Sequence, residues 1–216
     1  MKAYFISGLG ADKKVFQNIK LPSDYEPVFL DWISPKKKDE SLHEYAVRFA
    51  EIITSEENFI LIGLSFGGML ASEIARIKKP VKTIIISSLA SSDELPWYFK
   101  QAGKIGLHKA LPVSLLKAAT LLNRIMGAGT PEDKAIVYHY VKNAEPAFIR
   151  WSLHAIVNWK QQERLPGLIH LHGDQDHLLP IKFAHPDYLI KKGGHLMVLN
   201  KADEVNQVLH TILSQN

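Results

Sequence analysis

Phe59-Ile60-Leu61-Ile62-Gly63-Leu64-Ser65-Phe66-Gly67-Gly68-Met69-Leu70-Ala71-Ser72-Glu73-Ile74-Ala75 is the stretch that decides the fold. Its first four residues form an unbroken apolar run, as in a strand covered on both faces. From Gly68 onward it combines helix formers with apolar positions three and four apart. Between the two lies a G-x-S-x-G pentapeptide, Gly63 to Gly67. Strand, sharp turn and helix in that order is the context of a nucleophile elbow. Such a turn holds its serine in a cramped backbone, and side chains at Gly63 and Gly67 would collide with the adjoining strand and helix. Ser65 is thereby lifted above the sheet edge, beside a helix N-terminus. The plainer alternative is a glycine-rich turn whose serine caps the helix.

Outward from this segment, short apolar runs alternate with longer helical patterns. Strands are expected over 3–7, 28–31, 59–64, 83–87, 168–172 and 187–191, and helices over 12–18, 41–54, 66–77 and 201–213. In the last helix Val205, Val208, Leu209, Ile212 and Leu213 line one stripe, with Asn200 as its expected N-cap. Strands alternating with helices predict an α/β fold with a mostly parallel sheet and helices on both faces. The interval 91–164 breaks the rhythm. It has no convincing strand, and Leu95-Pro96, Leu111-Pro112, Gly127-Ala128-Gly129 and Glu145-Pro146 punctuate helical stretches. Thr130-Pro131-Glu132-Asp133 is a helix start, with threonine at the N-cap, proline at N1 and an acid at N3. Phe148, Trp151, Ala155, Ile156 and Trp159 recur at helical spacing, mostly as core residues. The interval predicts a helical insertion over the carboxyl edge of the sheet.

A serine hydroxyl is a weak nucleophile at neutral pH, and it needs a base that is itself oriented by an acid. The base candidate is His195 in Lys192-Gly193-Gly194-His195. The acid candidates, Asp174 and Asp176, lie in His172-Gly173-Asp174-Gln175-Asp176. All three segments follow predicted strands, at the edge where active sites of open α/β sheets assemble. A rival reading uses the same locus. His170, His172, Asp174, Asp176 and His177 are metal-ligand types, but two extra residues before the last histidine separate the run from the H-x-H-x-D-H pattern of metallo-β-lactamases. His108, His139 and His154 fall in the expected helical insertion, where a side chain can touch a substrate.

Composition narrows the function classes. The 216 residues carry a formal charge of +4, with 46% hydrophobic and 22% charged residues, and suffice for one substantial core. There is no cysteine, hence no disulfide, thiol nucleophile or thiolate metal site. The lysines sit in short clusters at expected loops, without the interleaved aromatics of a nucleic-acid surface. No apolar run approaches the roughly 20 residues of a membrane span. The first strand opens at Lys2, which leaves no room for a leader. These features predict a cytoplasmic protein acting on a small molecule, with no nucleic-acid or membrane partner.

The chain resembles the α/β-hydrolase fold family, on Ser7-Gly8-Leu9-Gly10, Gly63-Leu64-Ser65-Phe66-Gly67, His172-Gly173-Asp174-Gln175-Asp176 and Gly193-Gly194-His195. The resemblance covers nearly the whole chain. It implies a core of 1–90 and 165–216, with 91–164 as a helical cap. It implies Ser65 as nucleophile, His195 as base and Asp176 as acid, with Asp174 as the alternative and Asp93 as a displaced one. The oxyanion hole would use the backbone N–H groups of Leu9 and Phe66, with Gly8 and Gly10 permitting the turn. Two departures stand out: Ser7-Gly8 replaces a common His-Gly, and the start at the oxyanion-loop strand implies about six strands without the family's antiparallel hairpin. The implied reaction is hydrolysis of a carboxylic ester or similar acyl bond of a small soluble substrate, requiring no metal or cofactor. A serine nucleophile disfavours relatives that use aspartate, such as haloalkane dehalogenases and epoxide hydrolases. A C–C bond hydrolase, lyase or thioesterase on a cofactor-pathway intermediate, and a non-catalytic ligand-binding relative, are the alternatives.

Overall fold

Strand β3 (Phe59–Leu64) is buried along its whole length, and this places it at the centre of the molecule. The computed structural model describes residues 1–54, 58–107 and 125–214. Around β3 are set β1 (Lys2–Ile6), β2 (Glu26–Leu30), β4 (Lys82–Ile86), β5 (Leu168–Gly173) and β6 (Tyr188–Ile190). All pairs are parallel, in the order β2-β1-β3-β4-β5-β6. The expected six-stranded parallel sheet is therefore present, and every crossover needs a helix or long loop.

Successive side chains leave a strand on opposite faces, so each buried strand feeds two cores. Ala3, Phe5, Ile60, Ile62 and Leu64 meet Val205, Leu209 and Ile212 of α7 (Ala202–Ser214) on one face. Tyr4, Ile6, Phe59 and Leu61 meet Tyr45 and Phe49 of α1 (Leu42–Ala50) and Leu70 and Ile74 of α2 (Phe66–Lys78) on the other. Each such buried aliphatic or aromatic side chain stabilises the fold by roughly 1.5–3 kcal/mol.

Between β4 and β5 the described residues contain no strand. They form α3 (Trp97–Lys104), α4 (Pro131–Asn143) and α5 (Pro146–Val157). Helix α4 begins as its sequence predicts: Thr130 accepts from the Asp133 N–H while the Asp133 carboxylate reaches back to the Thr130 N–H. On α5, Phe148, Trp151 and Ala155 are buried against the α1–α2 side of the sheet, as core residues. Leu111-Pro112 and His108 lie outside the described residues.

Two local expectations are corrected. The helix expected at 12–18 is a short 3-10 turn, Lys13–Phe16, capped by the Asp12 carboxylate. Asn200 does not cap α7. It ends a separate short helix, α6 (Met197–Asn200), and its side-chain amide donates to the Gly127 carbonyl at 3.0 Å. The sheet edges are modest. β6 has three residues. β2 carries Pro27, and the Glu26 N–H turns inward to the Met1 carbonyl, so alternation aims the Pro27 nitrogen outward.

Candidate active site

Ser65 joins β3 to α2 with φ 53° and ψ −122°, a conformation that costs on the order of 1–3 kcal/mol outside glycine. Its surroundings leave the chain no alternative. A Cβ at Gly63 would fall on the Gly67 carbonyl and Gly68 Cα, and one at Gly67 on the carbonyl oxygens of Ile6 and Ser7. The elbow is also pinned through its own backbone. The Ser65 N–H donates to Ile86 at 2.9 Å, and the Ser88 hydroxyl donates to the Ser65 carbonyl at 2.6 Å. The Ser65 side chain makes no cap bond to the helix, which removes the plainer reading of the turn.

The freed hydroxyl faces His195, with Oγ 2.8 Å from Nε2. His195 follows β6, where Ile190 accepts from the Gly193 N–H in a tight turn. Its Nδ1 lies 2.8 Å from Asp176 Oδ2. A carboxylate can only accept, so Nδ1 carries the proton and the Nε2 lone pair is aimed at the serine. The other oxygen, Asp176 Oδ1, accepts from the N–H groups of Leu178 and Leu179 at 2.9 and 2.8 Å. Burial alone would raise the Asp176 carboxyl. The charge and hydrogen bond of His195, with the Leu179 amide, outweigh it and hold Asp176 below the usual carboxylate range. Asp176 and His195 are 3% and 1% exposed, so water does not compete for either.

The other sequence candidates lie elsewhere. Asp174 is exposed and does not meet His195. Asp93 is exposed and directed to Lys100. The metal-ligand types are not gathered around a common point. His170 Nε2 lies 3.0 Å from His172 Nδ1, His172 Nε2 faces the Leu179 carbonyl at 2.8 Å, and His177 is exposed. His139 packs by Asn143 and Asp12, and His154 by Asn158.

Leu9 and Phe66 flank Ser65 in a cavity of about 340 Å³ that also reaches His195. Phe66 opens α2, so its N–H is one of those a helix start leaves without an intrahelical partner. The Leu9 loop is closed by the Ala11 N–H donating to Gly8, and Gly10 supplies φ 70° there. Gly8 itself does not adopt that conformation, and a Cβ on it would make ordinary contact with Ser65. The turn thus needs Gly10 rather than both glycines.

The roles of three residues of this neighbourhood escape the sequence reading, which takes His172 only as a motif residue and a metal-ligand type. Ser88 holds the Ser65 carbonyl. His172 supports the Asp176 loop through Leu179. Trp32, two residues past the end of β2, does most where His-Gly is replaced. Its indole N–H donates to Ser7 Oγ at 3.1 Å and to the Gly8 carbonyl at 3.3 Å, while its ring stacks on Phe66 at 5.3 Å. Ser7 Oγ in turn donates to Ala11 at 2.7 Å. One side chain therefore braces both the Leu9 loop and Phe66. The available signal was its position, at the same sheet edge as the serine and histidine.

This geometry can be set against known proteins. The fold resembles a hydrolase from Oleispira antarctica (TM-score 0.75, 13% identity, covering 100% of this chain and 91% of the other). It also resembles a lipase-esterase related protein from Clostridium acetobutylicum (0.67, 21%, 96% and 92%). A putative aryl esterase from Burkholderia cenocepacia is similar again (0.72, 15%, 98% and 89%). At such identities the likeness concerns the fold alone. No curated protein sequence matches the chain. Residues 3–208 match the sequence model of the alpha/beta hydrolase family, and on that match, together with its sheet and elbow, the chain belongs to that family.

Proposed function

We propose that the protein is a serine hydrolase cleaving a carboxylic ester or similar acyl bond of a small substrate, with Ser65, His195 and Asp176 as its triad. The observation that carries this reading is the continuous hydrogen-bond line from Ser65 Oγ through both ring nitrogens of His195 to Asp176. His195 Nε2 takes the hydroxyl proton as Ser65 attacks the carbonyl carbon. Asp176 holds the tautomer and offsets the imidazolium charge. The N–H groups of Leu9 and Phe66 receive the oxyanion; such donors are worth about 2.7–4 kcal/mol each in the transition state. His195 then protonates the leaving group and activates water to release the acyl enzyme. Each step uses this chain's own groups and water. Residues 91–164 serve as a cap on a core of 1–90 and 165–216. What supports that division is the run of α3, α4 and α5 between β4 and β5, and the residues they contribute to the cavity wall.

Turnover of p-nitrophenyl esters and fluorophosphonate labelling, run on wild type beside Ser65→Ala, test the reading. The expected result is labelling of Ser65 and a loss of kcat by about 10⁴-fold or more in the variant. Undiminished turnover in Ser65→Ala would end the mechanism, and folded wild type that resists labelling would point to a non-catalytic relative.

A further inference from the structure

We propose that the substrate is a neutral ester with a hydrocarbon body of medium length that carries no charge along that body. This rests on the serine-hydrolase reading and names its substrate class. The cavity over Ser65 and His195 is walled by Met69, Leu89 and Leu178 from the sheet side and by Phe99, Ile149 and Leu153 from the helices between β4 and β5. Among the described residues lining it, the polar side chains are Ser65, His195 and Tyr140, and none is Asp, Glu, Lys or Arg. Tyr140 is already engaged, its hydroxyl directed to Asp12 at 3.4 Å. The Asp176 carboxylate is occupied by His195 and two backbone amides. Past the reacting carbonyl, the described residues of the wall therefore offer a ligand no ionic partner.

The physical consequences are opposite for methylenes and for charges. An apolar cavity is poorly hydrated and readily takes up hydrocarbon. Its volume, about 340 Å³, lies at the lower end of the roughly 300–1,000 Å³ of small-molecule sites, which suits a chain of medium length. Each methylene moved from water into it contributes about a factor of four to kcat/KM until the space is full. A carboxylate or ammonium in the same place loses its hydration without compensation, which lowers kcat/KM by about a hundredfold or more.

The test uses three substrate series on the purified protein: p-nitrophenyl esters from acetate to dodecanoate, alkyl acetates from methyl to decyl, and p-nitrophenyl hydrogen suberate as a charged match for the octanoate. Ser65-dependent kcat/KM is expected to climb about fourfold per methylene in at least one neutral series, and the series that climbs identifies the side of the ester bond that fills the cavity. The hydrogen suberate is expected to lie about a hundredfold below the octanoate. Leu153→Trp and Val157→Trp, which narrow the same wall from α5, are expected to move the optimum to shorter chains. A second readout does not need turnover: the neutral fluorophore N-phenyl-1-naphthylamine should bind Ser65→Ala and be displaced by octyl acetate but not by suberate. Two flat or falling neutral series, a charged ester turned over as well as the octanoate, or no binding of the fluorophore would overturn the proposal. Binding and displacement as expected, with no ester hydrolysed, would instead uphold the ligand class and overturn the serine-hydrolase reading.

Discussion

Asp174 and Asp176 have the same chemistry, two residues apart, and differ in everything their surroundings supply. Asp176 is buried, receives two backbone amides and meets His195, whereas Asp174 is in water. Asp176→Asn should lower kcat by about 10⁴-fold, because the amide no longer fixes the histidine tautomer. Asp174→Asn should stay within about twofold, and steady-state kinetics on the pair decides between them. Trp32 invites a subtler test. Trp32→Phe keeps a ring against Phe66 but removes the N–H held by Ser7 and Gly8. A loss of about tenfold in kcat, with KM little changed, is expected from a loosened oxyanion loop; a rise of about tenfold in KM with kcat unchanged would mean that Trp32 shapes binding instead. The residues that meet at Ser65 were legible because each stands in a short motif whose backbone demands are local. Trp32 and His172 were not, because their partners lie 25 and 7 residues away along paths that no single segment encodes.

The same distinction governs whole elements. The start of α4 could be read from four residues, since the threonine N-cap and the acid at N3 bond to each other and the proline at N1 is preset for the helix. Thr130→Ala should therefore cost about 1 kcal/mol and lower Tm by about 2–4 °C in a chain of this size, as followed by circular dichroism. Asn200 looked equally suited to open α7. Its amide is drawn instead to Gly127, 73 residues earlier, and Asp133, and an extra helical turn precedes α7. A tertiary partner there overrode a local cue. The expected helix at 12–18 shortened for a related reason: Val15 and Phe16 are buried against the sheet, and a tight turn delivers both.

For the molecule as a whole, the apolar runs dictated strands buried on both sides, and hence the parallel class of sheet. The order β2-β1-β3-β4-β5-β6 resides in no segment, because it depends on which crossover covers which face. The interior also sets an acid limit. Burial, reinforced by the neighbouring His172, drives His170 down to about 3, and His172 is lowered too, chiefly by burial. An unfolded histidine binds its proton near 6.5. Between those values the unfolded chain holds more protons than the native one, so stability falls as pH drops, by about 1.4 kcal/mol per pH unit for His170 alone. Urea unfolding at pH 7, 5.5 and 4.5 should show this slope, and His170→Gln should flatten it. Pro27 bears on the opposite hazard, association between molecules. A foreign strand approaching β2 needs a donor at every second residue to zip alongside. At the position aimed toward it the imide ring offers carbon, so growth of the sheet from one molecule into the next is interrupted at its first rung.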